Sequence, residues 1–163
     1  TKMYNRHPHV FTDASGTISV EKKWEEIKKN EKEGYSPLST IPSILPALLR
    51  AYIISRRVAR IGFDWPTVDG IYEKISEEIE ELKTAEKSTE PQRIKEEIGD
   101  LLFTIVNLAR FYSIDPEDAL RFTSEKFIKR FSYIEKNTDV QNSSLNTMDA
   151  LWNEIKDIEK KGE

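Results

Sequence analysis

The residues of this chain best suited to chemistry are acids on two nearby stretches, Glu77-Glu78-Ile79-Glu80-Glu81 and Glu96-Glu97-Ile98-Gly99-Asp100. Residues three apart on a helix lie side by side on one face. If both stretches are helical and antiparallel, Glu78, Glu81, Glu97 and Asp100 meet as one cage of carboxylates. Such a cage calls for cations, because an unpaired buried carboxylate costs roughly several kcal/mol. Hard divalent ions suit an all-oxygen donor set, which predicts Mg²⁺, with Mn²⁺ as the alternative ion, and through it a phosphate-bearing substrate.

The elements that must position these acids read as helices. From Ser43 to about Ile61 the apolar residues Leu45, Leu48, Leu49, Tyr52, Ile53 and Val58 recur mostly at spacings of three and four. Gly62-Phe63-Asp64-Trp65-Pro66 breaks that helix, and a second runs from about Thr67 to Lys87 with Ile71, Ile75, Ile79 and Leu82 as its stripe. A short turn around Pro91 predicts an antiparallel neighbour over 93–112. That helix is almost wholly apolar after Asp100, which predicts a central, buried position. Asp115-Pro116-Glu117-Asp118 is a strong helix start, and the helix it opens carries Phe122, Phe127, Phe131 and Ile134. A polar loop over 137–146 precedes a last helix over 147–160. A short polar helix over 20–33 and a linker over 35–42 complete the reading. No strand is evident, and the expected fold is an all-α bundle of the four-helix type with flanking helices.

Further candidates lie beside the acids. Asn107 stands two helical turns after Asp100 in Ile105-Val106-Asn107-Leu108-Ala109; a buried amide there needs a partner in the protein or in a ligand. Lys126 and Arg130, one turn apart, present two cations that suit a phosphate tail, although surface ion pairing is the commoner fate of such a pair. Trp152 is either core or a flat surface on which a nucleobase stacks. His7 and His9 flank Pro8 with no supporting acid or cysteine nearby, and they read as structural.

Composition removes other classes. There is no cysteine, hence no disulfide, thiolate site or cysteine nucleophile. A net charge of −4 argues against a nucleic-acid polymer as partner. No apolar run approaches the ~20 residues of a membrane span, and no signal-peptide pattern opens the chain, so the expected address is cytoplasmic, with no membrane partner.

At the acid stretches the chain resembles the MazG family of nucleoside triphosphate pyrophosphohydrolases, whose signature is Glu-Glu-x-x-Glu, a spacer, then Glu-x-x-Asp. The likeness extends over Ser43 to Leu48, Val58 to Pro66, Glu97 to Arg110, Glu125 to Phe131 and Thr147 to Trp152, which look like the second domain of two-domain MazG proteins. Arg6 to Phe11 looks like the closing segment of a first domain whose own acid signature is absent. A shortened form is therefore expected, with 1–36 a remnant plus linker helix and 37–163 the catalytic helical domain.

The resemblance implies Glu78, Glu81, Glu97 and Asp100 as Mg²⁺ ligands, and Lys74, Glu77, Glu96, Lys126, Arg130 and Trp152 as nucleotide contacts. Arg93 stands where the family often has a lysine, and Lys95 is the alternative there. The implied reaction is hydrolysis between the α- and β-phosphates, giving nucleoside monophosphate and pyrophosphate; the general base we assign to it from the residues is Glu77 or Glu78. The competing readings are a relative acting on dUTP or phosphoribosyl-ATP, and a non-catalytic helical interaction domain. A di-iron bundle would need Glu-x-x-His pairs, which these helices lack. A homodimer is expected, because Phe103, Phe111, Phe122, Phe127 and Phe131 exceed what one small bundle buries.

Overall fold

The computed structural model describes residues 36–88 and 90–161. Among them are five helices and no strand: α1 (Ala47–Arg60), α2 (Val68–Ser88), α3 (Pro91–Phe111), α4 (Pro116–Asn137) and α5 (Leu145–Lys161). The described residues adopt the expected all-α architecture. The helix expected over 20–33, the histidines at 7 and 9, and all but the last residue of the expected remnant lie outside the described residues.

Local chemistry explains the helix boundaries. Gly62 takes φ +91°, a left-handed conformation that costs glycine little, and the chain turns there after α1. Gly70 matters for a different reason: a Cβ at that position would lie 2.8 Å from Trp65 Cδ1, so only glycine lets the tryptophan lie on the first turn of α2. Pro91 opens α3 at a position where a missing N–H is harmless. At α4 the carboxylate of Asp115 accepts from the backbone N–H groups of Glu117 (2.9 Å) and Asp118 (3.2 Å), the cap its sequence promised.

The hairpin of α2 and α3 is the most extensively packed pair. α1 lies against α3, α5 against α4, and α4 meets both α1 and α3. Among the described residues the buried apolar side chains are few: Ile71 and Ala85 on α2, Val106 on α3, Ile134 on α4 and Ile155 on α5. A polar network supplements them. Ser55 donates to Asn107 Oδ1, Asn107 Nδ2 donates to Phe103 O (3.0 Å), and Arg110 Nε donates to Ser55 Oγ (2.7 Å). Arg110 also forks onto Asp64 through both terminal nitrogens, pinning the loop before α2 to α3. Buried polar groups that are satisfied in this way rigidify an interface that unsatisfied ones would weaken. The segment before α1 is held similarly, with Arg57 donating to Pro37 O (2.7 Å) and Thr40 Oγ1 (2.8 Å).

One expectation needs correction. α3 after Asp100 is not sheathed all round: Leu102 is 51% exposed, Ile105 43% and Phe103 38%. Among the described residues α1, α2 and α4 pack against it, and these three side chains stay exposed. Truncating the covered core should be costly. Ile71→Ala is expected to lower unfolding free energy by about 2–5 kcal/mol, read from urea denaturation.

Candidate functional site

The antiparallel turn of α2 onto α3 brings the two acid stretches together. Carboxylate oxygens of Glu78, Glu81 and Glu97 lie within 4.8 Å of one another. Glu78 is buried, Glu97 half-buried and Glu81 exposed, so the trio forms the floor and lip of a site open to solvent. Asp100, the fourth expected ligand, is exposed and falls outside that trio, one turn along α3. Its charge still reaches Glu97.

Electrostatics mark the site as under-neutralised. The Glu97 carboxyl holds its proton to higher pH than an ordinary glutamate, through loss of solvent and then repulsion from Glu81, Asp100 and Glu78. Lys74 is the cation on hand: its Nζ lies 2.8 Å from Glu78 Oε1 and 3.1 Å from Glu77 Oε1. Those two contacts, Glu78's first, push its pKa well up. They leave Glu78 Oε2 buried with no hydrogen-bond partner. A buried carboxylate oxygen without a partner is expensive. Here it sits among converging acids, an all-oxygen donor set that fits a hard divalent cation.

Beside the trio opens a cavity of about 340 Å³, lined by Glu77, Glu80, Glu81, Thr84, Arg93 and Glu97. Arg93 is thus placed on the same wall as the acids. Glu80 and Thr84 were not singled out from sequence; with Glu77 they follow the helical spacing that puts them on one face of α2. Glu80 itself is engaged by Lys83 (2.7 Å), which lowers its pKa. Glu96 is exposed and accepts from Gln92 Nε2 (2.8 Å), and Lys95 is exposed on α3.

The remaining candidates gather elsewhere. Arg130 lies 5.6 Å over the Trp152 ring, Trp152 packs against Phe127 at 5.1 Å, and Lys126 lies 5.5 Å over Phe122. This cluster belongs to α4 and α5, and none of its members lines the cavity of α2 and α3. Both ends of the Asn107 amide have protein partners, which accounts for its burial without a ligand.

Two helices that bring Glu78, Glu81 and Glu97 together beside such a cavity fall in the part of the chain that known proteins share. Residues 67–134, spanning α2, α3 and most of α4, match the MazG nucleotide pyrophosphohydrolase domain. That stretch of the chain is similar to a MazG domain. Over 162 residues it is 41% identical to the nucleoside triphosphate pyrophosphohydrolase/pyrophosphatase MazG of Thermotoga maritima, covering 95% of this chain and 62% of that protein. Over 167 residues it is 40% identical to the nucleoside triphosphate pyrophosphohydrolase of Escherichia coli K12, covering 95% and 64%. It is also 45% identical over 170 residues to the uncharacterized protein YabN of Bacillus subtilis, covering 98% of this chain and 35% of that one. The chain therefore spans less than two thirds of the length of these relatives.

Repulsion within the acid trio yields a direct test. In metal-free buffer at pH 7.5, Glu97→Gln removes one of the crowded charges and should raise the thermal midpoint. A carboxyl whose folded pKa is raised costs stability as pH climbs through and above its titration range, and the amide carries no such cost. Added MgCl₂ should stabilise the parent chain and leave the variant's midpoint almost unmoved.

Proposed function

We propose that the chain hydrolyses nucleoside triphosphates to nucleoside monophosphate and pyrophosphate with a divalent cation, Mg²⁺ or Mn²⁺, held by Glu78, Glu81, Glu97 and Asp100. The observation that carries this reading is the convergence of three carboxylates around the partnerless Glu78 Oε2, in a MazG domain. Bound there, a divalent cation supplies Lewis acidity toward the phosphates and toward water.

The chain's own residues do the rest. The oxygen of water joins the α-phosphorus while the bond from that phosphorus to the α–β bridging oxygen breaks, and pyrophosphate departs with the bonding pair. Glu77 is our candidate to take the water's proton: it lines the cavity and its side chain is 57% exposed, hence reachable by substrate and solvent. Glu78, buried and tied to Lys74, serves better as a ligand than as a base. We assign Arg93, on the cavity wall, and Lys74, beside the acids, to the phosphates, with Glu96 and Lys95 as further nucleotide contacts. Lys126 and Arg130 neutralise the pyrophosphate, and Trp152 offers an aromatic face to the base.

The two residue clusters and the open side of α3 favour a homodimer. Ile98, Leu102, Ile105 and Tyr112 recur at spacings of four, three and seven, a coiled-coil seam left exposed in the single chain, and Ile79 of α2 is exposed as well. A second copy of the chain is the occupant we assign to this seam.

Product analysis tests the reaction. With Mg²⁺ the full chain should release monophosphate and pyrophosphate from a panel of eight NTPs and dNTPs, and none with EDTA; diphosphate plus phosphate would refute the bond assignment. Glu97→Gln and Asp100→Asn should each lower turnover at least about 100-fold while far-UV circular dichroism stays unchanged. Leu102→Glu is expected to convert a dimer to a monomer in light scattering, and a dimer that survives it would place the seam elsewhere.

A further inference from the structure

Glu159, near the end of α5, takes no part in the reaction described above, yet it is the chief partner of a residue that does. Its Oε2 accepts from Arg130 Nε at 2.8 Å and lies 2.8 Å from Arg130 Nη2. Its Oε1 lies 3.5 Å from Lys129 Nζ, a looser contact on a well-exposed lysine. The Arg130–Glu159 pair is sheltered on both sides, with side-chain exposures of 18% and 22%. Arg130 also holds the carboxyl of Glu159 below the usual glutamate range, so the pair stays ionised across neutral pH.

The guanidinium is thereby restrained in two ways. Glu159 occupies the edge that carries Nε, and Trp152 covers a face of the plane at 5.6 Å. What remains for an incoming ligand is the fork made by the two terminal nitrogens, the edge whose geometry matches two oxygens of a phosphate. Trp152 and Glu159 are seven residues apart, two turns on one side of α5, so a single helix face supplies both restraints.

We infer that Glu159 is a positioning residue: it orients Arg130 so that its terminal fork meets the pyrophosphate portion of the substrate. This rests on the reading of Arg130 as a phosphate contact. A carboxylate beside an arginine has two opposed effects on an anion: its charge repels the anion, whereas its hydrogen bonds remove the entropy cost of aligning the fork. The sheltered pairing and the aromatic cover make alignment the larger effect here.

The two effects have opposite signs, and that decides the test. Inorganic pyrophosphate with Mg²⁺ is titrated calorimetrically into the parent chain and into Glu159→Ala, Glu159→Gln, Arg130→Ala and the Arg130→Ala/Glu159→Ala double variant, each first checked for an unchanged helical spectrum. Glu159→Ala should weaken binding about tenfold. Glu159→Gln, whose amide oxygen can still accept from Nε and Nη2, should stay within about threefold of the parent. In the Arg130→Ala background the second change should have no further effect. Tighter or unchanged binding by Glu159→Ala overturns the proposal, as does an equal loss with and without Arg130. If Arg130→Ala itself leaves pyrophosphate binding unchanged, the phosphate role of Arg130 fails first and takes the role of Glu159 with it.

Discussion

The acids of α2 and α3 repel one another, and much else in this domain makes sense as the means of holding them together. Glu78, Glu81 and Glu97 would separate in a flexible chain; here two long helices joined by a short turn leave them no room to do so. The hairpin is in turn braced where the chain can bear it: Ile71 and Ala85 of α2 and Val106 of α3 are fully covered, and α1 supports α3 from behind. Lys74 neutralises part of the charge from within α2, and Glu78 Oε2 is left without a partner. A buried carboxylate oxygen left in that state, among converging acids, suits a hard cation.

The division of labour between the polar groups follows from burial. Ser55, Asn107, Arg110 and Asp64 form a closed set in which each has a protein partner, and they tie α1, α3 and the loop at Trp65 into one unit. Their role is architectural. The cavity residues Glu77, Glu81, Arg93 and Glu97 form an open set, facing solvent with charges that the protein only partly answers. The cluster of Arg130, Trp152 and Glu159 stands between these extremes, sheltered and paired yet with hydrogen-bond donors to spare.

Much of the fold was legible because its signals are local. Apolar spacing located α1 to α5, and Asp115-Pro116 marked the start of α4 to the residue. The pairing of Glu78 with Glu81, and of Glu97 with Asp100, was legible for the same reason, since residues three apart on a helix share a face wherever that helix goes. The role of Asn107 was not, because nothing in its own neighbourhood says that Ser55, 52 residues away, would supply its partner. Nor was the exposure of Leu102, Phe103 and Ile105, for an apolar run reads alike whether its cover comes from the same chain or from another.

The sequence by itself determined an all-α chain with paired acids on neighbouring antiparallel helices, and hence a site suited to a hard cation. Periodicity, capping and turn length depend on residues within a few positions of one another, and one chain is enough to read them. Only the tertiary structure decided which acids converge, that Asp100 stands outside the tightest trio, that Glu80 and Thr84 share the cavity wall, and that Glu159 holds Arg130. Those facts depend on how far one helix is rotated and shifted against another. That offset is set by the summed packing of many side chains, and no short stretch of sequence contains it.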